Sequence, residues 1–189
     1  MDANLDTCVA FTSVQEGGYS ALYDDAGNWT GGAVGHGTLV GSNMGISAPT
    51  LVSWNPRVTV TPAYMRALPK TVQTAILGAR YWNTNRCGEL PSGIDLMMLD
   101  FGFNAGSRTA AMLLQEAVGF CSDDLDGSIG LATLGVVLQQ PVATLISTLA
   151  TMQGAHYAAL HEARFEAGWL ARTARRKAAA LALVPFKIG

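Results

Sequence analysis

Nine of the 21 glycines lie between Gly17 and Gly45, a density that neither a long helix nor a regular strand tolerates. Residues 17–60 are also rich in Asn, Thr and Trp. Gly27-Asn28, Gly31-Gly32, Gly35, Gly37, Gly41 and Gly45 read as turn punctuation. Loops with a short hairpin or two are expected there, and the glycines would let backbone approach a ligand closely.

The flanking sequence is helical. Residues 4–16 place Leu5, Val9 and, one turn on, Thr12 and Ser13 on one face, with Glu16 close behind and Gly17-Gly18 as the stop. Thr61-Pro62 has the form of an N-cap with proline at the first helical position, and Pro69 opens a helix to about Trp82. Residues 92–103 are apolar nearly all round, so that helix is expected to be buried. Further helices are expected at Ser107–Val118, Leu131–Leu138, Pro141 to about Glu166, and 168–183. The expected fold is mainly α, with one small irregular lobe after the first helix. A cleft between such a lobe and a helical body suits an extended polymer.

Charged residues are 14% of the chain and hydrophobic ones 49%, which excludes a disordered polar chain. The formal net charge of −2 hides an asymmetry. Residues 1–163 hold six Lys/Arg against thirteen Asp/Glu (−7), and residues 164–189 hold six against one (+5). The favoured reading of Arg164, Arg172, Arg175, Arg176 and Lys177 is a solvated basic face; the alternative is a patch for an anionic polymer or a membrane surface. No basic stretch is interleaved with aromatic residues, which argues against nucleic acid.

Cys8, Cys87 and Cys121 are widely spaced and form no paired framework. Met1-Asp-Ala-Asn-Leu-Asp lacks the basic start and apolar core of a secretory leader, and the apolar run Ala178–Phe186 is too short to span a bilayer. The expectation is a monomer made in the bacterial cytoplasm that reaches the wall after release or export. His36, His156 and His161 have no zinc spacing. Neither metal nor cofactor is expected.

Glycosidic hydrolysis usually needs two carboxyl groups, one kept protonated to donate to the leaving oxygen. Glu16, at the carboxyl end of a helix, sits where the macrodipole disfavours negative charge by about 0.3–1 kcal/mol; desolvation in a cleft would have to add to that. Asp24 and Asp25 follow across the Gly-Gly turn, and Thr30 comes five residues after Asp25. A carboxylate with a hydroxyl can hold and activate a water on the far face of the sugar. Asp24-Asp25 before Ala26-Gly27 would equally serve as plain turn formers.

Glu16-Gly17-Gly18-Tyr19, then Asp25-Ala-Gly-Asn-Trp-Thr30-Gly-Gly and Gly45-Ile46-Ser47, closely resemble the signature of glycoside hydrolase family 108. That family groups phage-type lysozymes and bacterial "secretion activator" proteins. The resemblance continues through Tyr81-Trp82, Leu90-Pro91, Asp100-Phe-Gly-Phe-Asn104-Ala-Gly106, Leu114-Gln115, Asp126-Gly-Ser-Ile-Gly130 and Phe165-Glu-Ala-Gly-Trp169-Leu. It implies a lysozyme-like helical fold and an N-acetylmuramidase acting on the peptidoglycan glycan strand, as a phage or prophage endolysin does. It also implies Glu16 as catalytic acid and, by similarity to the acid, aspartate and hydroxyl trio of phage lysozymes, Asp25 and Thr30 as its partners. A longer insertion between Thr30 and Gly45 leaves Thr38 as an alternative to Thr30. Residues 1–110 would form the catalytic core and 111–189 a peptidoglycan-binding-like helical segment packed into the same domain.

Tyr19, Trp29, Trp54 and Trp82 offer aromatic faces for sugars. Trp82 reads as core, and Trp29, in the glycine-rich loop, as the better ligand contact. Asp100 and Asn104 lie one turn apart on the most apolar helix. Their expected role is to pin the lobe or cap the next helix, with Asn104 as a further substrate contact. Ser122, Asp124 and Asp126-Gly127 imitate half a calcium loop, but the position needing a bidentate Glu is Thr133, so a helix-capping turn is expected.

Overall fold

The computed structural model describes residues 4–185. Residues 1–3 and 186–189, where the leader reading begins and the Ala178–Phe186 run ends, lie outside the described residues. The chain forms two compact units, one of Met1–Phe11 with Leu77–Gly189 and one of Thr12–Ile76. These are drawn along other lines than the 1–110 and 111–189 parts expected above. The structure is mainly helical: among the described residues there are nine α-helices, with β pairing only as isolated bridges.

Helix α1 (Leu5–Glu16) begins in the first unit and ends in the second. Cys8, Val9 and Thr12 are its buried positions, a spacing that matches one helical face. Gly17 has φ +74°, the left-handed conformation that ends helices at low cost only in glycine.

The Thr12–Ile76 unit has three further helices. Ser47 caps α2 (Ala48–Trp54), its hydroxyl accepting from Thr50 N at 3.4 Å. This helix falls in the stretch expected to be loop throughout, where the neighbouring glycines masked a cap followed by proline in the first turn. Thr61 caps α3 (Pro62–Arg66), accepting from Tyr64 N at 3.1 Å, as expected. The fourth helix, α4 (Lys70–Leu77), runs on into a π-turn, Gly78–Trp82, that belongs to the other unit.

The other unit is built round α5 (Ile94–Ala105), in which every residue from Ile94 to Gly102 is buried. It packs against α6 (Ser107–Ala117), α8 (Val142–Ala159) and α9 (Ala163–Ala182); α7 (Leu131–Val137) completes the set. The expected helix from Pro141 to Glu166 is in fact two. It breaks at 160–162, where His161 takes φ +53°, and the chain reverses. Tyr157 then stacks on Trp169 with ring centroids 5.1 Å apart, and Arg176 bonds Gln153. No glycine or proline marks this reversal; packing between the two helices imposes it.

Asp100 corrects two expectations at once. It neither pins the lobe nor caps a helix but pairs with α9: Arg172 donates to it at 3.0 and 2.7 Å and Arg176 at 2.7 Å. Arg172 and Arg176 are therefore buried, so the basic end is not a uniformly solvated face. Burial pulls the Asp100 carboxyl upward, but the hydrogen bond from Arg172 and the charges of both guanidiniums together outweigh it and hold its pKa below the ordinary value. Asp95, at the start of α5, goes the other way. Burial dominates and raises its pKa, although Asn4 Nδ2, Gly93 N and Leu96 N each donate to it at 2.7 Å. Cys8 and Cys87 are also buried, and burial pushes both thiols far up, which makes poor nucleophiles of them.

The Asp126 loop is a turn held by α6. Gln115, 2% exposed, donates to Asp126 Oδ1 at 2.7 Å and accepts from Gly127 N at 3.0 Å, and Asp126 Oδ1 also accepts from Ser128 N. Leu114-Gln115 and Asp126-Gly127 thus form one local structure.

Candidate active site

Glu16 is partly buried in the last turn of α1, and Gly17-Gly18 carry the chain from it directly into the lobe. The last turn is tied down by Gln73, which is 1% exposed. Ser13 Oγ donates to Gln73 Oε1 at 2.8 Å, and Gln73 Nε2 donates to Met44 O at 2.8 Å. One neutral amide therefore links the helix end that bears Glu16 to the turn 43–46, where Met44 holds φ +50°.

The lobe is a set of narrow antiparallel pairings: Ser20 with Ser42, Trp29 with Leu39, and Asn43 with Ile46. Thr30 N donates to Thr38 O at 3.0 Å, and Thr38 N donates back to Thr30 Oγ1 at 2.9 Å. The two alternatives for the hydroxyl role therefore face each other across one pairing. Asp25 is exposed and caps the short 3₁₀ turn Ala26–Asn28, its Oδ1 accepting from Gly27 N at 2.8 Å. Its turn-forming role is thus real, and a chemical role would be added to it.

Trp29 does not offer a free face. It is 8% exposed, its Nε1–H donates to Tyr23 O at 2.8 Å, and its ring meets Tyr23 edge-on at 5.1 Å. An indole with a satisfied N–H is good packing material for a lobe otherwise short of apolar mass. Tyr19 is partly exposed and fixed on several sides. Its hydroxyl donates to Val40 O at 3.2 Å, and the Arg66 guanidinium carbon lies 4.6 Å from its ring centroid. Gly41 (φ +88°) passes so close that a Cβ there would stand 2.5 Å from both the ring and Ser20 O. Only glycine fits that position. Trp54 is 37% exposed and Trp82 is core.

Glu16, Tyr19, Asp25, Trp29 and Thr30 all belong to the Thr12–Ile76 unit. Asn104 belongs to the other, where it is exposed on the last turn of α5. Sequence reasoning missed Gln73 and Arg66. Both sit on short helices among ordinary polar neighbours, and no spacing rule separates a buried Gln from a solvated one. The Thr61 cap was the available signal for the helix that ends at Arg66.

The profile of Glycosyl hydrolase 108 matches residues 9–106, which include Glu16 and the whole lobe. The chain belongs to glycoside hydrolase family 108. The solved structure of Brucella abortus SagA is similar over 99% of both chains, with 31% identity and a TM-score of 0.75, in keeping with a mainly α, lysozyme-like fold. No curated protein matches. Membership in the family suggests a peptidoglycan-related glycosidase and fits a glycan substrate.

Proposed function

We propose that the chain is an N-acetylmuramidase that hydrolyses the MurNAc–GlcNAc β-1,4 linkage of peptidoglycan without a cofactor. Glu16 protonates the leaving oxygen, and Asp25 with the Thr30 hydroxyl positions the attacking water, the division of labour of an inverting mechanism. The observation that carries this reading is the setting of Glu16. It is a partly buried carboxyl on a helix end braced by Gln73, at the entrance to the lobe that holds Asp25 and Thr30, in a chain of this family. Tyr19, three residues on from Glu16 in the same unit, supplies a fixed aromatic side chain for the sugar.

Mass spectrometry of muropeptides released from purified sacculi tests the reaction. The proposal predicts fragments ending in a reducing MurNAc, one water heavier than the anhydro form. Anhydro-MurNAc ends would instead mean lytic transglycosylation, which needs Glu16 but no water. Sedimentation with sacculi and no release at all would mean a wall-binding protein that keeps the lysozyme-like shape.

A further inference from the structure

Arg66 ends α3, and its backbone is anchored independently of its side chain: the buried amide of Asn43 donates to Met65 O at 2.8 Å and to Arg66 O at 3.1 Å. The side chain is exposed, and its guanidinium lies against the fixed Tyr19 ring. Among the described residues no carboxylate pairs with it, unlike Arg86, Arg172 and Arg176. Stacking on a ring occupies a face of the guanidinium and leaves its in-plane N–H fork available, and that fork matches a carboxylate. Tyr19 is three residues from Glu16, so their Cα atoms are at most about 11 Å apart, roughly the span of two sugar rings.

A glycan strand presented to Glu16 for cleavage beside MurNAc carries a lactyl-peptide arm, with its carboxylates, on alternate sugars. We infer that Arg66, stacked on Tyr19, receives a carboxylate of that arm and so distinguishes peptidoglycan from uncharged β-1,4-linked N-acetylglucosamine polymers. This rests on the muramidase reading and adds a specificity-determining residue to it. Because the side chain is exposed, the contact is modest and salt-sensitive.

The test uses a Glu16→Gln chain, with and without Arg66→Met, sedimented with Gram-negative sacculi and with the same sacculi after methyl esterification of their carboxylates. Arg66→Met is expected to weaken sedimentation with native sacculi about two- to fivefold at low ionic strength. It should leave binding to the esterified sacculi unchanged, and the difference should vanish near 1 M salt. Arg66→Lys should recover part of the loss, and the thermal midpoint should not move. Equal weakening on both substrates would make Arg66 a mere support for Tyr19 and overturn the inference. Equal binding by both chains, or no sedimentation of either, overturns it too. Reducing ends released by the chain that retains Glu16 are scored separately: their absence sinks the hydrolase reading, while sedimentation still decides Arg66.

Discussion

In the Thr12–Ile76 unit the buried polar side chains are neutral: Thr12, Asn28, Asn43 and Gln73. Most of what their amides hold is backbone, with Asn28 donating to Leu22 O, Asn43 to Met65 O and Arg66 O, and Gln73 to Met44 O. In the helical unit the buried polar groups include Asp95, Asp100, Arg172 and Arg176, and the last three hold one another. A glycine-rich lobe has little propensity or apolar mass to order it, and side-chain amides that reach carbonyls supply the missing order without the desolvation cost of a charge. A helical core already has its backbone satisfied, so its buried polarity is free to act as a latch between helices. Removing one member of such a latch costs more than the latch contributes.

The largest effect expected from this contrast is at Asp100. Asp100→Asn leaves Arg172 and Arg176 buried without a counter-charge and should cost about 3–5 kcal/mol. That is a fall of roughly 10 °C in thermal midpoint at this chain length, read by calorimetry. A loss no greater than that of a surface change would break the charged half of the comparison. Next, Gln73→Leu removes the hydrogen bonds to Ser13 Oγ and the Met44 carbonyl and should cost about 1–3 kcal/mol. Because it loosens the helix end that bears Glu16, it should also lower turnover on sacculi more than it lowers sedimentation with them. Wild-type turnover in that variant would mean the amide brace is irrelevant to the site.

Acid titration sharpens the contrast within the helical unit. The Asp100 pKa is depressed in the fold, so its stabilisation is present above the ordinary aspartate value of about 3.9 and is lost as pH falls through the lower folded value. Denaturant unfolding between pH 2 and 5 should show that loss in the wild type, with a shallower acid slope in Asp100→Asn. Asp95 has the opposite sign. Its folded pKa is raised, so its contribution is most favourable at low pH and declines as pH rises through the ordinary value and on to the folded one. The smallest effect follows: Asp95→Asn, which keeps an oxygen for Gly93 N and Leu96 N, should be close to neutral, or slightly stabilising, at pH 7. Marked destabilisation there would show that Asn4 and the two amides outweigh burial.

Legibility in the sequence follows the same division. The helices with a cap, a proline or an apolar run were readable: α1 with its Gly17 stop, α3 with its Thr61 cap, and α5 with its continuous apolar surface. Long-range polar pairing was not. Nothing local tells Arg172 and Arg176 from Arg164 and Arg175, because the distinction is made by Asp100, 72 residues away from Arg172. The break at His161 was invisible for a related reason, since tertiary packing overrides the good helix formers around it. In the lobe, motif order pointed to Glu16, Asp25 and Thr30, whereas spacing could not show that Thr30 faces Thr38. It also could not show that Trp29 is packed inside and leaves Tyr23, 64% exposed, on the surface.

The most direct test of the central claim is to compare wild type and Glu16→Gln for reducing ends released from purified sacculi, with the thermal midpoint measured on the same preparations. A braced acid at position 16 predicts that release falls by at least about 10²- to 10⁴-fold while the midpoint is nearly unchanged. Undiminished release from a folded Glu16→Gln chain would contradict it.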